Sequence, residues 1–212
     1  MRSKELETYK QKLKLSDLQR EILVGLLLGD AHLETQNEGR TYRLKIEQSV
    51  AHSPYVMHLH DVFRSWVGTP PRTRVVERLG KESSNVCFQT LSHGSFRFYG
   101  QQFYADRKKC VPELINQLLT PRALAYWFMD DGSIKSKDSK GLILNTQAFA
   151  PKDISKLCDV LKAKFDLRAK TRPQKDGFQL YIFGESFETF CHLAGPFVLP
   201  EMLYKIPSAR QT

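Results

Sequence analysis

Two apolar segments of this chain, about a hundred residues apart, each run directly into aspartate. The first covers residues 23–31 and reads LVGLLLGDA, and the second covers residues 124–132 and reads LAYWFMDDG. A carboxylate beside so much apolar surface is costly unless a cation lies with it. Because the arrangement occurs twice, it indicates that Asp30 and Asp131 are two carboxylates delivered to one shared site.

Other polar residues recur at nearly the same interval. Gln48 is matched by Gln147, and Lys109 is matched by Lys205. The order Asp, Gln, Lys therefore occurs twice along the chain. Repeats of this length are whole subdomains and not solenoid units. The pattern predicts a duplicated fold.

Each half reads as helix, paired strands, helix, paired strands, helix, which predicts an α+β fold of two pseudo-symmetric subdomains. Asp17 is the expected N-cap of the first motif helix, and Thr120-Pro121 caps and opens the second. The expected boundaries are residues 1–112, a linker at 113–119, and residues 120–212. The other helices are expected at about residues 54–67, 95–104, 151–165 and from 185, and strands at about 42–48, 72–78, 85–91, 141–146, 167–172 and 178–183, with the QKDG turn at 174–177.

The charge balance favours a polyanionic partner. The chain carries 32 Lys and Arg against 23 Asp and Glu, a formal charge of +9. Such a balance favours a nucleic acid over a membrane as the partner. The alternative is a basic protein that binds no polyanion. The four dispersed cysteines indicate buried free thiols in a reducing compartment and no zinc site. No apolar segment approaches the roughly twenty residues that span a bilayer, so we expect a soluble protein.

Cations share one face of several predicted strands. Arg43 and Lys45 alternate with Leu44 and Ile46, so one face is basic and the other aliphatic. A solvated face would explain this too, but acids should then be mixed in at similar frequency, and these stretches hold only Glu47 and Glu77. A two-stranded ribbon fits the major groove of DNA. The same parity recurs in two further sets, Arg72, Arg74 and Arg78, and Arg168, Lys170 and Arg172.

The aspartates and lysines predict metal-assisted phosphodiester hydrolysis. A helix that ends at Asp30 leaves carbonyls without intrahelical partners, and a carboxylate beside them makes an oxygen site for a divalent cation. Gly25 and Gly29 would let the motif helices pack closely. Lys109 and Lys205 could position water or stabilise the phosphate. The alternatives are that the aspartates only cap neighbouring loops and that the lysines are only solvated. Lys108 could also serve in place of Lys109.

These residues resemble the paired motifs of LAGLIDADG homing endonucleases in their single-chain form. Residues 25–31, GLLLGDA, are similar to the first motif, and residues 119–132 to the second motif of the omega-intron mitochondrial branch. Residues 144–147, LNTQ, and 200–207, PEMLYKIP, are similar to that branch too. The second motif departs from the family pattern at Tyr126, where the consensus has glycine, and at Asp130, where it has a small residue. Position favours Asp131 over Asp130 as the metal ligand.

The resemblance implies two αββαββα subdomains whose saddle-shaped antiparallel sheets lie over a DNA major groove. It also implies cleavage of both strands of a long asymmetric site, 3′ overhangs and a need for Mg²⁺, with Mn²⁺ as a substitute and Ca²⁺ as a non-catalytic occupant. The implied metal ligands are Asp30, Asp131 and the carbonyls of Gly29 and Asp130. The implied catalytic residues are Asp30, Asp131, Lys109, Lys205, Gln147 and Glu47, and the sequence leaves open which of Glu47 and Gln48 points inward. The expected DNA contacts are Arg40, Arg43, Lys45, Gln48, Arg72, Arg74, Arg78, Arg168, Lys170 and Arg172.

Three hypotheses follow for function. The leading one is a monomeric, site-specific DNA endonuclease encoded in a mobile intron, located in an organelle matrix or a bacterial cytoplasm. The second is a maturase that binds intron RNA and assists splicing, because the basic sheets would serve either polymer. The third is a transcription regulator on the same scaffold, which we would expect to carry an added helix-turn-helix domain that this chain has no room for.

Overall fold

The computed structural model describes residues 4–78, 81–136 and 139–206, without the side chains at positions 76, 78 and 81. The expected DNA contact of Arg78 therefore lies outside the described side chains. The chain packs as two compact units. Unit 1 comprises residues 1–20 and 30–101, and unit 2 comprises residues 21–29 and 102–212. The first motif helix thus contributes Glu21–Gly29 to the second unit.

Unit 1 contains a four-stranded antiparallel sheet of order β1-β2-β4-β3. Its inner face is aliphatic and aromatic because Leu44, Ile46 and Phe88 alternate with polar residues along their strands. Trp66 is fully buried beneath the sheet, and its indole N–H donates to Gln19. The elements of this unit are α1 (Lys4–Gln11), α2 (Asp17–Leu28, shared with unit 2), β1 (His32–Glu34), β2 (Arg43–Ser49), α3 (Ser53–Val62), β3 (Arg72–Arg78), β4 (Lys81–Gln89) and α4 (Arg97–Phe103, which ends in unit 2).

Unit 2 repeats this plan with a sheet of order β7-β8-β10-β9. Leu142, Leu144, Leu180 and Ile182 form its fully buried inner face. The elements of this unit are β5 (Tyr104–Ala105), β6 (Lys108–Lys109), α5 (Ile115–Leu118), α6 (Pro121–Asp131), β7 (Gly132–Ser136), β8 (Ser139–Leu144), α7 (Pro151–Phe165), β9 (Ala169–Gln174), β10 (Gly177–Ile182), α8 (Phe187–Ala194) and a final 3₁₀ helix (Pro200–Lys205).

The α+β class and the two αββαββα halves are confirmed, because both sheets are antiparallel, have the same strand order and are flanked by corresponding helices. The predicted domain boundaries stay a prediction; the proposed linker at residues 113–119 holds the short helix α5. No helix among the described residues is long and apolar enough to cross a membrane.

The cap of the first motif helix lies one residue earlier than expected. The Ser16 hydroxyl accepts from the backbone N–H of Gln19 (3.2 Å), and the Gln19 side chain accepts from the backbone N–H of Ser16 (3.0 Å). This reciprocal pair is a capping box, so Ser16 and not Asp17 is the N-cap. The second motif helix is capped as predicted, since Thr120 accepts from the N–H of Ala123 at 3.2 Å.

Candidate functional site

The two motif helices approach very closely within unit 2. A Cβ added at Gly25 would lie 2.4 Å from the carbonyl oxygen of Ala123 and 2.8 Å from the Cβ of Tyr126. Tyr126 is itself buried, and burial raises its pKa to about 12. Only glycine at position 25 leaves room for this backbone contact, as the sequence predicted.

The ends of the same helices also meet. A Cβ added at Gly29 would lie 2.4 Å from the Oδ2 of Asp130. An ion pair of 2.7 Å between Arg122 and Glu21 joins their opposite ends. Asp30 follows Gly29 directly and is exposed, whereas Asp131, the last residue of α6, is half-buried.

A lysine lies on the backbone at each helix end. The Lys109 ammonium donates to the carbonyl oxygen of Gly29 at 2.5 Å. The Lys205 ammonium donates to the carbonyl oxygens of Met129 (2.5 Å) and Asp130 (2.9 Å). Because the C-terminal carbonyls of a helix carry partial negative charge, these positions attract cations. The two repeat-paired lysines are therefore in equivalent places.

Lys109 is aimed by a tight hairpin. Strands β5 and β6 pair Tyr104 with Lys109. The two residues that connect the strands, Asp106 and Arg107, have φ of 48° and 65°. Consecutive left-handed residues are what a type I′ turn requires. Lys108 points away and is exposed, so the structure distinguishes between the two neighbouring lysines that the sequence left open.

The predicted polar residues lie in different places. Gln48 donates to the Oδ2 of Asp30 at 2.7 Å. Glu47 lies on the outer face of its sheet, where it accepts from Asn85 (2.9 Å) and is 3.5 Å from Arg74. Strand parity thus assigns Gln48 to the aspartate.

In unit 2, β8 ends at Leu144, so Gln147 lies beyond the strand and is exposed. The backbone N–H of Asn145 donates to the carbonyl oxygen of Asp131 at 3.1 Å, and its side chain accepts from Gln179 at 2.7 Å. Sequence reasoning missed Asn145, because the interval between repeats pointed to Gln147 and only strand register reveals the residue next to Asp131.

The outer face of the first sheet is basic but not free of acids. Arg43 and Lys45 are half-exposed while Leu44 and Ile46 are buried, as predicted. Glu34, which the sequence analysis did not single out, pairs with both cations at 2.7 Å. The hydrogen bond from Lys45 is the largest of the causes that lower the pKa of Glu34 to about 2.

Edge strand β3 carries Arg72 and Arg74 on the same outer face, beside a cavity of about 290 Å³ that Lys45, Glu47 and Gln89 also line. The opposite side of this strand is not packed on helices, as Val75 is 65% exposed. Arg40 lies outside the strands, in the exposed loop between β1 and β2.

The outer face of the second sheet combines cations with aromatic rings. Lys170 lies directly opposite Tyr181 across the β9–β10 pair, and Arg172 lies opposite Gln179. The Lys170 ammonium and the Arg168 guanidinium are each 5.4 Å from the centre of the Phe183 ring. Arg168 precedes β9 and forms an ion pair of 2.5 Å with Glu185. The aromatic residues were missed, although their parity opposite the buried Leu180 and Ile182 could have indicated them.

All four cysteines are free thiols, as expected, but only Cys87 is buried. Burial nevertheless raises the pKa of Cys158 and of Cys191 to about 11. The thiolate is the reactive form of cysteine, so these side chains are poor nucleophiles. Among the described residues, no three or more His, Cys, Asp or Glu side chains form a metal-binding group. A metal here would rely on fewer carboxylates and on backbone carbonyls.

Comparison with known proteins gives a consistent result. The sequence model of the LAGLIDADG DNA endonuclease family matches residues 20–190. The chain is 33% identical to the probable intron-encoded endonuclease 1 of Wickerhamomyces canadensis, over 96% of this chain and 90% of that protein. It is 29% identical to the cytochrome b mRNA maturase bI2 of Debaryomyces hansenii, over 88% of this chain and 72% of that protein.

Among solved structures, the homing endonuclease I-WcaI bound to its DNA recognition sequence superimposes with a TM-score of 0.91 and 31% identity. The match covers 97% of this chain and 93% of that one. The similarity therefore extends over both units and is not confined to the motif helices.

Proposed function

The chain belongs to the LAGLIDADG DNA endonuclease family, and from this membership we propose that it is a homing endonuclease that cuts both strands of a long, asymmetric DNA site and leaves 3′ overhangs. The observation that carries the proposal is the pair of motif helices, each followed or ended by an aspartate and each with a lysine ammonium on its last carbonyls. The basic outer faces of the two sheets supply the surface for double-stranded DNA. We propose that the protein acts as a monomer.

We infer that Asp30, Asp131 and the carbonyls of Gly29 and Asp130 hold Mg²⁺, with Mn²⁺ as a substitute. The donor set fits, because Mg²⁺ takes one or two protein carboxylates and fills its other positions with water and phosphate oxygens. The lysines support this fit, since their ammonium groups lie as cations on two of the proposed carbonyl ligands. When bound, the metal supplies charge neutralisation at the phosphate and a more acidic water.

The chain's own residues supply positioning and charge. Those arginines and lysines of the sheets that contact phosphates neutralise backbone charge and fix the register of the duplex. Gln48 donates from its side-chain amide to the Asp30 carboxylate and so fixes the orientation of that group. Lys109 and Lys205 bring positive charge to each helix end, where negative charge develops as a phosphodiester bond is attacked.

A randomised duplex library tests the function. Incubation of the full chain with the library and Mg²⁺ should release fragments that share one long sequence, with both strands cut and 3′ overhangs. Sequencing of the cleaved ends gives the site. A library that stays intact with Mg²⁺ and with Mn²⁺ would reject the endonuclease.

The lysines give a second test. Lys109→Met and Lys205→Met should each slow cleavage by about a hundredfold, the lower end of the effect of a positioned proton donor or acceptor. Neither change should weaken Mg²⁺ binding, because each removes a cation that lies on a proposed ligand carbonyl. Calorimetric titration of Mg²⁺ into the protein and single-turnover cleavage measure the two effects separately.

Lys108→Met is the matched control, since Lys108 is the exposed neighbour of Lys109. It should leave cleavage and metal affinity unchanged. Equal damage from Lys108→Met and Lys109→Met would contradict the assignment, as would normal cleavage by Lys109→Met.

A maturase activity is the second candidate, favoured by the similarity to the maturase bI2 of Debaryomyces hansenii. Binding of the host intron RNA that survives aspartate substitution would support it. Either activity fits an organelle matrix, because the relatives include proteins named as intron-encoded and as a cytochrome b mRNA maturase. A bacterial cytoplasm is the alternative location.

A further inference from the structure

One carboxylate on the outer face of the first sheet holds two of the proposed DNA-contacting cations. The Oε2 of Glu34 accepts from Arg43 Nε at 3.0 Å and from Arg43 Nη2 at 2.7 Å. Its Oε1 accepts from Lys45 Nζ at 2.7 Å. Strand register explains the arrangement, since Glu34 lies directly opposite Arg43, and His32 lies opposite Lys45.

The cluster stabilises the fold to some extent, because the lowered pKa of Glu34 means that folding favours its charged form. The three side chains are 24% to 33% exposed, so screening by water limits this contribution. The cluster also removes net positive charge from a face that is proposed to bind a polyanion. A group that weakens the general attraction for DNA has to contribute in another way.

The geometry of Arg43 indicates that contribution. A guanidinium has five N–H donors in a fixed plane, and Glu34 takes the edge formed by Nε and Nη2. The Nη1 donors and the second N–H of Nη2 remain, and they form the fork that matches the O6 and N7 acceptors of guanine. An arginine held on one edge presents the other edge in a single orientation.

We propose that Glu34 is a positioning residue that determines which base pairs the first sheet recognises, by holding Arg43 and Lys45 toward base edges and away from the nearest phosphates. The inference rests on the proposed DNA-binding function. Without the carboxylate, two flexible cations rotate freely and reach the phosphate backbone, which carries no sequence information.

The consequence is a trade between selectivity and general affinity. Glu34→Gln should lower discrimination by about tenfold at the one or two base pairs that Arg43 and Lys45 contact, within the range of a bidentate contact. Affinity for unrelated duplex should rise, because the variant carries one more net positive charge. Preferences at all other positions of the site should persist.

Binding selection from a randomised duplex library tests this, with Ca²⁺ in place of Mg²⁺ so that bound DNA stays intact. Glu77→Gln is the control, because it removes the same charge from β3 at a position of opposite parity to Arg72 and Arg74. The expected result is a loss of preference confined to one short block for Glu34→Gln and a wild-type profile for Glu77→Gln. In an Arg43→Gln, Lys45→Gln background, Glu34→Gln should cause no further change in the profile.

The outcomes distinguish a failure of the proposed function from a failure of the role of Glu34. A wild-type protein that enriches no sequence overturns the proposed function and this inference together. A wild-type site that Glu34→Gln leaves unchanged, or weakens equally at every position, overturns only the role of Glu34. Thermal unfolding of each variant identifies a loss of folding, and in that case Glu34→Asp, which keeps the charge, should restore fold and profile together.

Discussion

Replacing Asp30 and Asp131 together with asparagine is expected to slow cleavage by about ten-thousandfold or more while the protein still binds its site. Asparagine keeps the shape and loses the charge that would hold a divalent cation. Loss of the metal removes several kcal/mol of transition-state stabilisation, and each 1.36 kcal/mol is about tenfold in rate. Single-turnover cleavage of the selected site and a binding titration measure the two properties.

Two further variants make the result specific. Asp61→Asn should cleave normally, because Asp61 lies near the end of α3 in an exposed ion pair with Arg64. Asp130→Asn separates the adjacent acids, since the Asp130 side chain lies against Gly29 while Asp131 ends the helix. We expect the carboxylate of Asp131 to matter far more. Normal cleavage by the Asp30, Asp131 double variant would disprove the assigned site.

Gly25→Ala should destabilise the protein by about 3 kcal/mol or more, the upper part of the range for overpacked cores. The added methyl would lie 2.4 Å from the carbonyl oxygen of Ala123, which is backbone and cannot rotate away. In a chain of this size such a loss lowers the Tm by roughly 10 °C. Thermal and urea unfolding measure it.

Gly195→Ala is the matched control in the same unit. Nothing lies within 4 Å of a Cβ at Gly195, and its φ of −50° suits alanine. Its stability should change by less than about 1 kcal/mol, in the stabilising direction. Equal stability of the two variants would mean that the helices do not approach as closely as the structure indicates.

Elements with strong local signals could be predicted from the sequence. The helix Pro151–Phe165 and the strand Arg72–Arg78 have the expected bounds, and the turn before Gly177 connects two paired strands. Proline at a helix start and Asp-Gly at a hairpin determine local geometry, so they require no tertiary context.

Short strands could not be predicted in the same way. Strand β1, His32–Glu34, has three residues, too few for an alternating pattern, and exists because β2 pairs with it. Strand β7 follows the second motif helix without an intervening loop and was missed for a similar reason. These strands depend on partners that a local pattern does not contain.

The same distinction between local signals and tertiary context applies to the residues of the candidate site. Asp30, Asp131, Lys109 and Lys205 could be singled out because the sequence repeats them. Strand register and the parity of neighbouring strands determine the other features of the site. They turn Glu47 outward, bring Asn145 beside Asp131, and place Glu34 where it accepts hydrogen bonds from two cations. Register is set by the packing of the whole sheet, so a single sequence left these roles open.

The division of the first motif helix between the units limits how this scaffold can be recombined. Glu21–Gly29 packs with residues far along the chain, so a fragment that starts at residue 113 would lack part of its own interior. A chimera that joins the first half of this chain to the second half of a relative must therefore match the surface around Ala123 and Tyr126 before any change in DNA preference can be tested. Compatibility of halves is decided by the backbone-to-backbone fit of the motif helices, not by the basic strands of the sheets.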